Sequence, residues 1–249
     1  MPHAFNADVR IHYSLQGEGP PLVLHHGTGS NSTTWLRHGY ARVLRERFQL
    51  ILIDARGHGQ SDKPRDPAAH TGELRARDVT AVLDALHVDR AHFLGYSMGG
   101  WIGFAMARFA PERLRSLAIG GAHPFADEAI TRIPEQAAHD PATFIATLEQ
   151  VMGERLSTET QRLLLMNDLV AVIASLRQRV PLEDVLPRLP VPCWLFAGTA
   201  DRRYELIQRT QAALPGTKLL SLPSCSHLQA LASTDQVLPE LFKFLDRIP

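Results

Sequence analysis

Ser97 lies between two glycines in the run Leu94-Gly95-Tyr96-Ser97-Met98-Gly99-Gly100. An apolar stretch, Ala91 to Leu94, precedes it, and a helix-like stretch, Trp101 to Phe109, follows. A serine at a tight strand-to-helix turn stands clear of the sheet, where its hydroxyl can attack a carbonyl. Such a turn strains the backbone at the serine, and small neighbours relieve the crowding. Gly95 and Gly99 supply that room because neither carries a Cβ. A serine hydroxyl is a poor nucleophile at neutral pH. It needs a base to take its proton and a carboxylate to orient that base. His227 and Asp201 have the side chains for those tasks. The attacked carbonyl becomes an oxyanion, which needs donors fixed in advance. The Met98 amide is one candidate donor. The second is expected from Thr28 or Gly29, in His25-His26-Gly27-Thr28-Gly29.

These residues are useful only if the fold brings them together. Val9 to Tyr13 alternates polar and apolar residues and predicts an edge strand. Leu22-Val23-Leu24 and Leu50-Ile51-Leu52-Ile53 read as strands buried on both faces. Ala91–Leu94, Leu114–Ile119, Val191–Phe196 and Lys218–Leu222 complete the set. Between them run amphipathic helices. One is capped at Ser32, Thr33 or Thr34 and carries Tyr40, Val43, Leu44 and Phe48 on one face. A second starts at Thr71, a third stops at Pro111, and others carry Leu206 to Leu214 and Val237 to Leu245. Strands alternating with helices predict an α/β fold with a mostly parallel central sheet. Ser97, Asp201 and His227 each follow a strand, and in open sheets of this kind sites form beyond the strand ends.

The alternation breaks after Ala122. From Phe125 to Arg188 only helical runs appear, among them the stripe Phe144, Ile145, Leu148, Val151, Met152 and the apolar run Leu163 to Leu176. Residues 123–188 are therefore read as a helical cap inserted into a core domain of residues 1–122 and 189–249. Pro187, Pro190 and Pro192 punctuate the return to the core.

In sequence the chain resembles the α/β-hydrolase fold family. Four motifs carry the resemblance in order: His26-Gly27-Thr28-Gly29, Asp54-Ala55-Arg56-Gly57-His58-Gly59-Gln60-Ser61, Gly95-Tyr96-Ser97-Met98-Gly99-Gly100, and Gly198-Thr199-Ala200-Asp201 with Ser226-His227. The resemblance implies a nucleophilic Ser97, a basic His227 and an orienting acid at Asp201. Asp127 is the rival acid, because some relatives carry it after the strand that here ends at Ile119. The Asp54–Ser61 segment is expected to be a structural turn, and His26 to brace the oxyanion loop. Trp35 and Tyr96 line either the acyl pocket or the core. The resemblance is to small carboxylesterases, lactonases and cofactor-free haloperoxidases. It implies cleavage of a small, mostly hydrophobic ester or lactone through an acyl-enzyme. Carbon–carbon bond hydrolysis, perhydrolysis and ligand sensing with little turnover use the same triad and stand as alternatives.

Composition narrows the rest. With 26 basic and 26 acidic residues the chain lacks the basic excess of a general nucleic-acid binder. No apolar run reaches the length of a membrane span, and the N-terminal residues hold no secretory apolar core. Cys193 and Cys225 make no disulfide framework, so a cytoplasmic location is expected. Asn31-Ser32-Thr33 is read as a chance sequon, and Cys225 as a packing residue. No metal-ligand spacing or phosphate loop occurs, so neither a metal nor another cofactor is expected.

Overall fold

Consecutive apolar residues cannot leave one face of a strand in water, so these strands must lie inside, covered on both sides. The computed structural model describes residues 2–131, 133–189 and 191–248; Met1, Arg132, Pro190 and Pro249 lie outside the described residues. Its strands are β1 His3–Asn6, β2 Val9–Gln16, β3 Pro21–His25, β4 Gln49–Ile53, β5 Ala91–Tyr96, β6 Leu114–Gly120, β7 Cys193–Gly198 and β8 Lys218–Leu222. They form one sheet in the order β1-β2-β4-β3-β5-β6-β7-β8. β2 pairs antiparallel with β1 and β4, and every other pairing is parallel. The expected edge strand is thus the second arm of a hairpin whose first arm, His3–Asn6, carries too little alternation to be read from sequence.

Side-chain alternation splits the core in two. Val23, Ile51, Phe93, Leu117 and Leu195 face one layer of helices. That layer contains α3 Gly72–Ala85, α4 Met98–Phe109 and α9 Tyr204–Ala212. Leu22, Leu24, Leu52, Leu94 and Phe196 face the other. It contains α1 Thr34–Arg37, α2 Tyr40–Leu44, α10 His227–Ala232 and α11 Thr234–Leu245. Thr71 caps α3 as expected, its hydroxyl accepting the Leu74 amide.

Two helices expected as single elements are broken. The one after Ser32 divides into α1 and α2, because Gly39 adopts φ +83° between them, and Thr33 makes no side-chain cap. The apolar run from Leu163 divides into α7 Thr158–Leu165 and α8 Leu169–Arg177. Asp168 starts the second helix by accepting the Ala171 amide. With α5 Glu128–Thr131 and α6 Pro141–Met152 these make a helical insertion between β6 and β7. It has its own apolar centre of Ile133, Phe144, Leu148, Leu164, Val172 and Leu176.

The interior is rich in histidine. Burial holds His25 down to about 3, and His70, His92 and His123 down to about 4. Unfolded, each would protonate near 6.5. The stability these groups contribute is therefore complete above that value and is lost as pH falls toward the folded values. At about 1.4 kcal/mol per site and pH unit, the loss is large. The melting temperature should fall by roughly 10 °C or more between about pH 7 and pH 5. An unchanged Tm over that interval would contradict it.

Candidate active site

The parallel strands end together, and the loops beyond those ends carry Ser97, Asp201 and His227. His25 of β3 pairs with Gly95 of β5, Tyr96 with Gly120 of β6, Gly120 with Phe196 of β7, and Gly198 with Leu222 of β8. Ser97 comes directly after β5, at φ 55° and ψ −113°. L-residues rarely adopt this conformation, and it persists because its surroundings fix it. The Ser97 amide donates to the Gly120 carbonyl at 2.8 Å, and the Ser97 carbonyl accepts the Trp101 amide at 3.0 Å. A Cβ on Gly99 would overlap the His25 carbonyl, and one on Gly95 would overlap the Gly99 carbonyl. Both glycines are thus required by contact with backbone.

The first amides of a helix have no partner inside it. The Met98 amide opens α4, and no backbone or side-chain acceptor is bonded to it among the described residues. It is free to meet a developing oxyanion. Across from it, Gly27 approaches so closely that a Cβ there would lie 3.3 Å from Ser97 Cβ. Thr28 and Gly29 follow and line the same cavity as Ser97. Gly29 has φ +69°, and a Cβ there would overlap Leu164. The loop is braced from three sides. His26 Nδ1 donates to the Gly27 carbonyl at 2.8 Å, and its Nε2 accepts the Ala55 amide at 3.0 Å. Burial keeps that ring neutral, which lets it do both. Asp54 accepts the amides of Ser32 and Gln60 at 2.7 and 2.9 Å. Asn167 of the insertion donates to the Gly29 carbonyl at 2.8 Å.

His227 opens α10, and its Nδ1 lies 2.6 Å from Asp201 Oδ2. A nitrogen against a carboxylate carries the proton, so Nε2 is left as the basic atom. Burial alone would raise the Asp201 carboxyl pKa. The charge and hydrogen bond of His227, then the Arg203 amide and guanidinium, outweigh burial and hold it below the usual range. The Tyr96 hydroxyl donates to the His227 carbonyl, and the two rings lie 5.1 Å apart. Burial, reinforced by Asp201, pushes the Tyr96 phenol well above its ordinary value, so it stays a donor. Ser97 Oγ and His227 are not hydrogen-bonded to each other here, although both line one cavity. Such bonds commonly tighten only when substrate is bound.

Asp127 pairs with Arg203 rather than with His227: its carboxylate accepts Arg203 Nε at 3.0 Å, Arg203 Nη1 lies 3.9 Å from Asp201, and Asp127 lines a small pocket together with Ser97. Trp35 is fully buried against Tyr40 in the core and does not line the cavity; its bulk is consumed by packing under α2. Tyr96 does line the cavity. Arg203, Asn167 and Tyr96's grip on His227 carry no local sequence signal, because each acts across a long chain separation.

The cavity has a volume of about 520 Å³. Ser97, His227 and the Gly27–Gly29 loop form its floor. Leu148, Val151, Met152, Leu163 and Leu164 of the insertion give it an apolar wall, and Arg37, His38 and Glu159 bring polar groups to it. Among the described residues no cluster of three or more His, Cys, Asp or Glu could hold a metal ion. Among them, too, no helix is long and apolar enough to cross a membrane.

The family model of the alpha/beta hydrolase fold matches residues 20–238, and the chain belongs to that family. A protein of Azorhizobium caulinodans named for a proposed carbamate hydrolase activity is 40% identical over 119 residues, which cover 48% of this chain and 43% of that one. The chain spans less than half the length of several such curated relatives. Among solved structures, the enol-lactonase of Burkholderia xenovorans LB400 superposes with a TM-score of 0.85 at 22% identity, covering 98% of this chain and 100% of that one. Est816, described as an N-acyl homoserine lactone degrading enzyme, superposes with a TM-score of 0.80 at 26% identity, again over 98% and 100%.

The elbow geometry makes a direct prediction. Gly99→Ala forces a methyl group into the His25 carbonyl and should cost roughly 3 kcal/mol of stability. A denaturation midpoint equal to that of the unaltered chain would contradict the contact.

Proposed function

We propose that the protein is a serine hydrolase that cleaves a carboxylic ester or lactone of a small, mostly hydrophobic molecule through an acyl-enzyme on Ser97. The observation that carries the reading is the convergence on one apolar cavity of a strained serine and a histidine already bonded to a buried carboxylate. In the reading, His227 Nε2 takes the Ser97 proton as Oγ attacks the carbonyl carbon. Asp201 holds the ring and stabilises the imidazolium. The Met98 amide and an amide of Thr28 or Gly29 receive the oxyanion. His227 then gives its proton to the departing alkoxide, leaving the acyl group on Oγ. Water attacks that ester, again with His227 as base, and restores the serine.

The wall supports an apolar substrate class. Leucines, Val151 and Met152 offer dispersion contacts but no hydrogen bonds, so they favour an apolar acyl or alcohol group. The likeness to Est816 supports a lactone carrying an acyl tail as one such substrate. In this account residues 123–188 act as the cap of a core made by 1–122 and 189–249, and the protein works in the cytoplasm without a cofactor.

The test is turnover of p-nitrophenyl esters and acyl lactones of graded chain length. Ser97→Ala should abolish it, and Asp201→Asn should lower kcat by roughly a thousandfold or more, because the amide favours the wrong imidazole tautomer. Asp127→Asn should cost less than about tenfold. Undiminished hydrolysis by Ser97→Ala, or a larger loss in Asp127→Asn than in Asp201→Asn, would overturn the assignment.

A further inference from the structure

The loop that carries His227 is held from the insertion as well as from the sheet. α6 ends at Met152, and Gly153 turns the chain through φ +73°. The next residue, Glu154, reaches back across to the core. Its Oε2 accepts the Ser226 hydroxyl at 2.6 Å, and its Oε1 accepts the Leu228 amide at 3.0 Å. These donors are the two chain neighbours of His227. Leu228 lies in the first turn of α10, where an amide lacks a partner within the helix, and Glu154 provides one. The Ser226 hydroxyl meanwhile accepts the Gln229 amide and so completes the cap of the same helix.

The same turn of the insertion touches the acid loop. Arg202, the neighbour of Asp201, donates from Nη1 to the Gln150 carbonyl at 2.6 Å. Gly153 packs against the Arg202 side chain, and its positive φ favours glycine there. Val151 and Met152, immediately before, line the substrate cavity. The last turn of α6 and the two residues after it therefore contact the cavity, the Asp201 loop and the His227 loop.

We propose that Glu154 is a positioning residue for His227: its carboxylate, by holding Ser226 and Leu228, fixes the imidazole where it can serve Ser97. The inference rests on the reading of His227 as the base. Four bonds from three residues then define the ring: Asp201 sets its tilt, the Tyr96 hydroxyl holds the His227 carbonyl, and Glu154 clamps the residues on either side. Bonds to a carboxylate are stronger than neutral ones, and misplacement of a base by a fraction of an ångström slows proton transfer. Glu154 does not touch the reacting atoms, so its loss should act on kcat and leave KM nearly unchanged.

A merely structural role, seating the insertion on the core, predicts something different. Arg65 pairs with Asp168 at 2.8 Å and also joins core to insertion, but it is not bonded to the His227 loop. The experiment compares Glu154→Ala, Glu154→Asp, Glu154→Gln and Arg65→Ala by ester turnover. It also follows the far-downfield proton resonance of the His227–Asp201 hydrogen bond. Glu154→Ala should lose about tenfold or more in kcat with KM within about twofold, and its downfield proton should broaden through exchange with water. Glu154→Asp, too short to reach both donors, should fall part of the way and keeps the test readable if the alanine variant does not fold. Glu154→Gln, which keeps one acceptor oxygen but turns an N–H toward the other donor, should fall between Glu154→Ala and the unaltered protein, and Arg65→Ala should match the unaltered protein. A wild-type rate and downfield signal in Glu154→Ala and Glu154→Asp would overturn the proposal, as would an equal loss in Arg65→Ala. If the unaltered protein shows no Ser97-dependent turnover, the functional reading fails, and the downfield proton still decides whether Glu154 orders His227.

Discussion

The structure depends on the close approach of two backbones: the start of α4, at Gly99, against the end of β3, at His25. No side chain fits between them. That contact sets how sharply the chain must turn after β5, and the sharp turn places Ser97 at a positive φ. The strain is offset by the pairing of β3, β5 and β6, whose register brings Gly120 under the Ser97 amide and Gly27 beside its Cβ. A relaxed turn would hide the hydroxyl and redirect the Met98 amide. The position of Ser97 is thus a consequence of sheet register and of two missing methyl groups.

Everything else at the site is arranged around that fixed point by buried polar contacts. The loop at Gly27–Gly29 hangs on neutral His26 and on Asp54, whose carboxylate ties Ser32 to Gln60. His227 hangs on Asp201 and Tyr96, and its neighbours Ser226 and Leu228 hang on Glu154 of the insertion. Asp201 is supported by Arg203, which also binds Asp127, so the two acidic residues that compete in sequence terms are joined through one guanidinium. The insertion both walls the cavity and grips the loops on its floor, through Asn167 at Gly29 and Arg202 at Gln150.

The core could be read from sequence because its signals are local. Unbroken apolar runs end in Gly-rich segments or at Ser97, Asp201 and His227, and residues such as Leu22–Leu24 and Ser97 announce strand and turn within a few positions. The hairpin arm His3–Asn6 was illegible, since its pairing with β2 rather than its own pattern makes it a strand. The breaks at Gly39 and at Asn167-Asp168 leave no mark in the sequence for a related reason: apolar periodicity continues across them while the backbone turns away. Trp35 shows the same limit at the site, because an aromatic near a catalytic loop packs equally well into core or pocket until the second layer of helices is in place. Glu154 and Asn167 are ordinary polar residues in sequence, and only the folded insertion gives them partners.

The central claim is that Ser97 forms a covalent acyl intermediate. Intact-mass measurement of the protein, quenched in acid during turnover of an activated ester, followed by peptide mapping, tests it most directly. The account predicts one acyl group per chain, located on the peptide bearing Ser97, accumulating faster than it decays when the acyl group is long and apolar. Continued hydrolysis with no adduct, or with the adduct on Cys225 or a histidine, would contradict it.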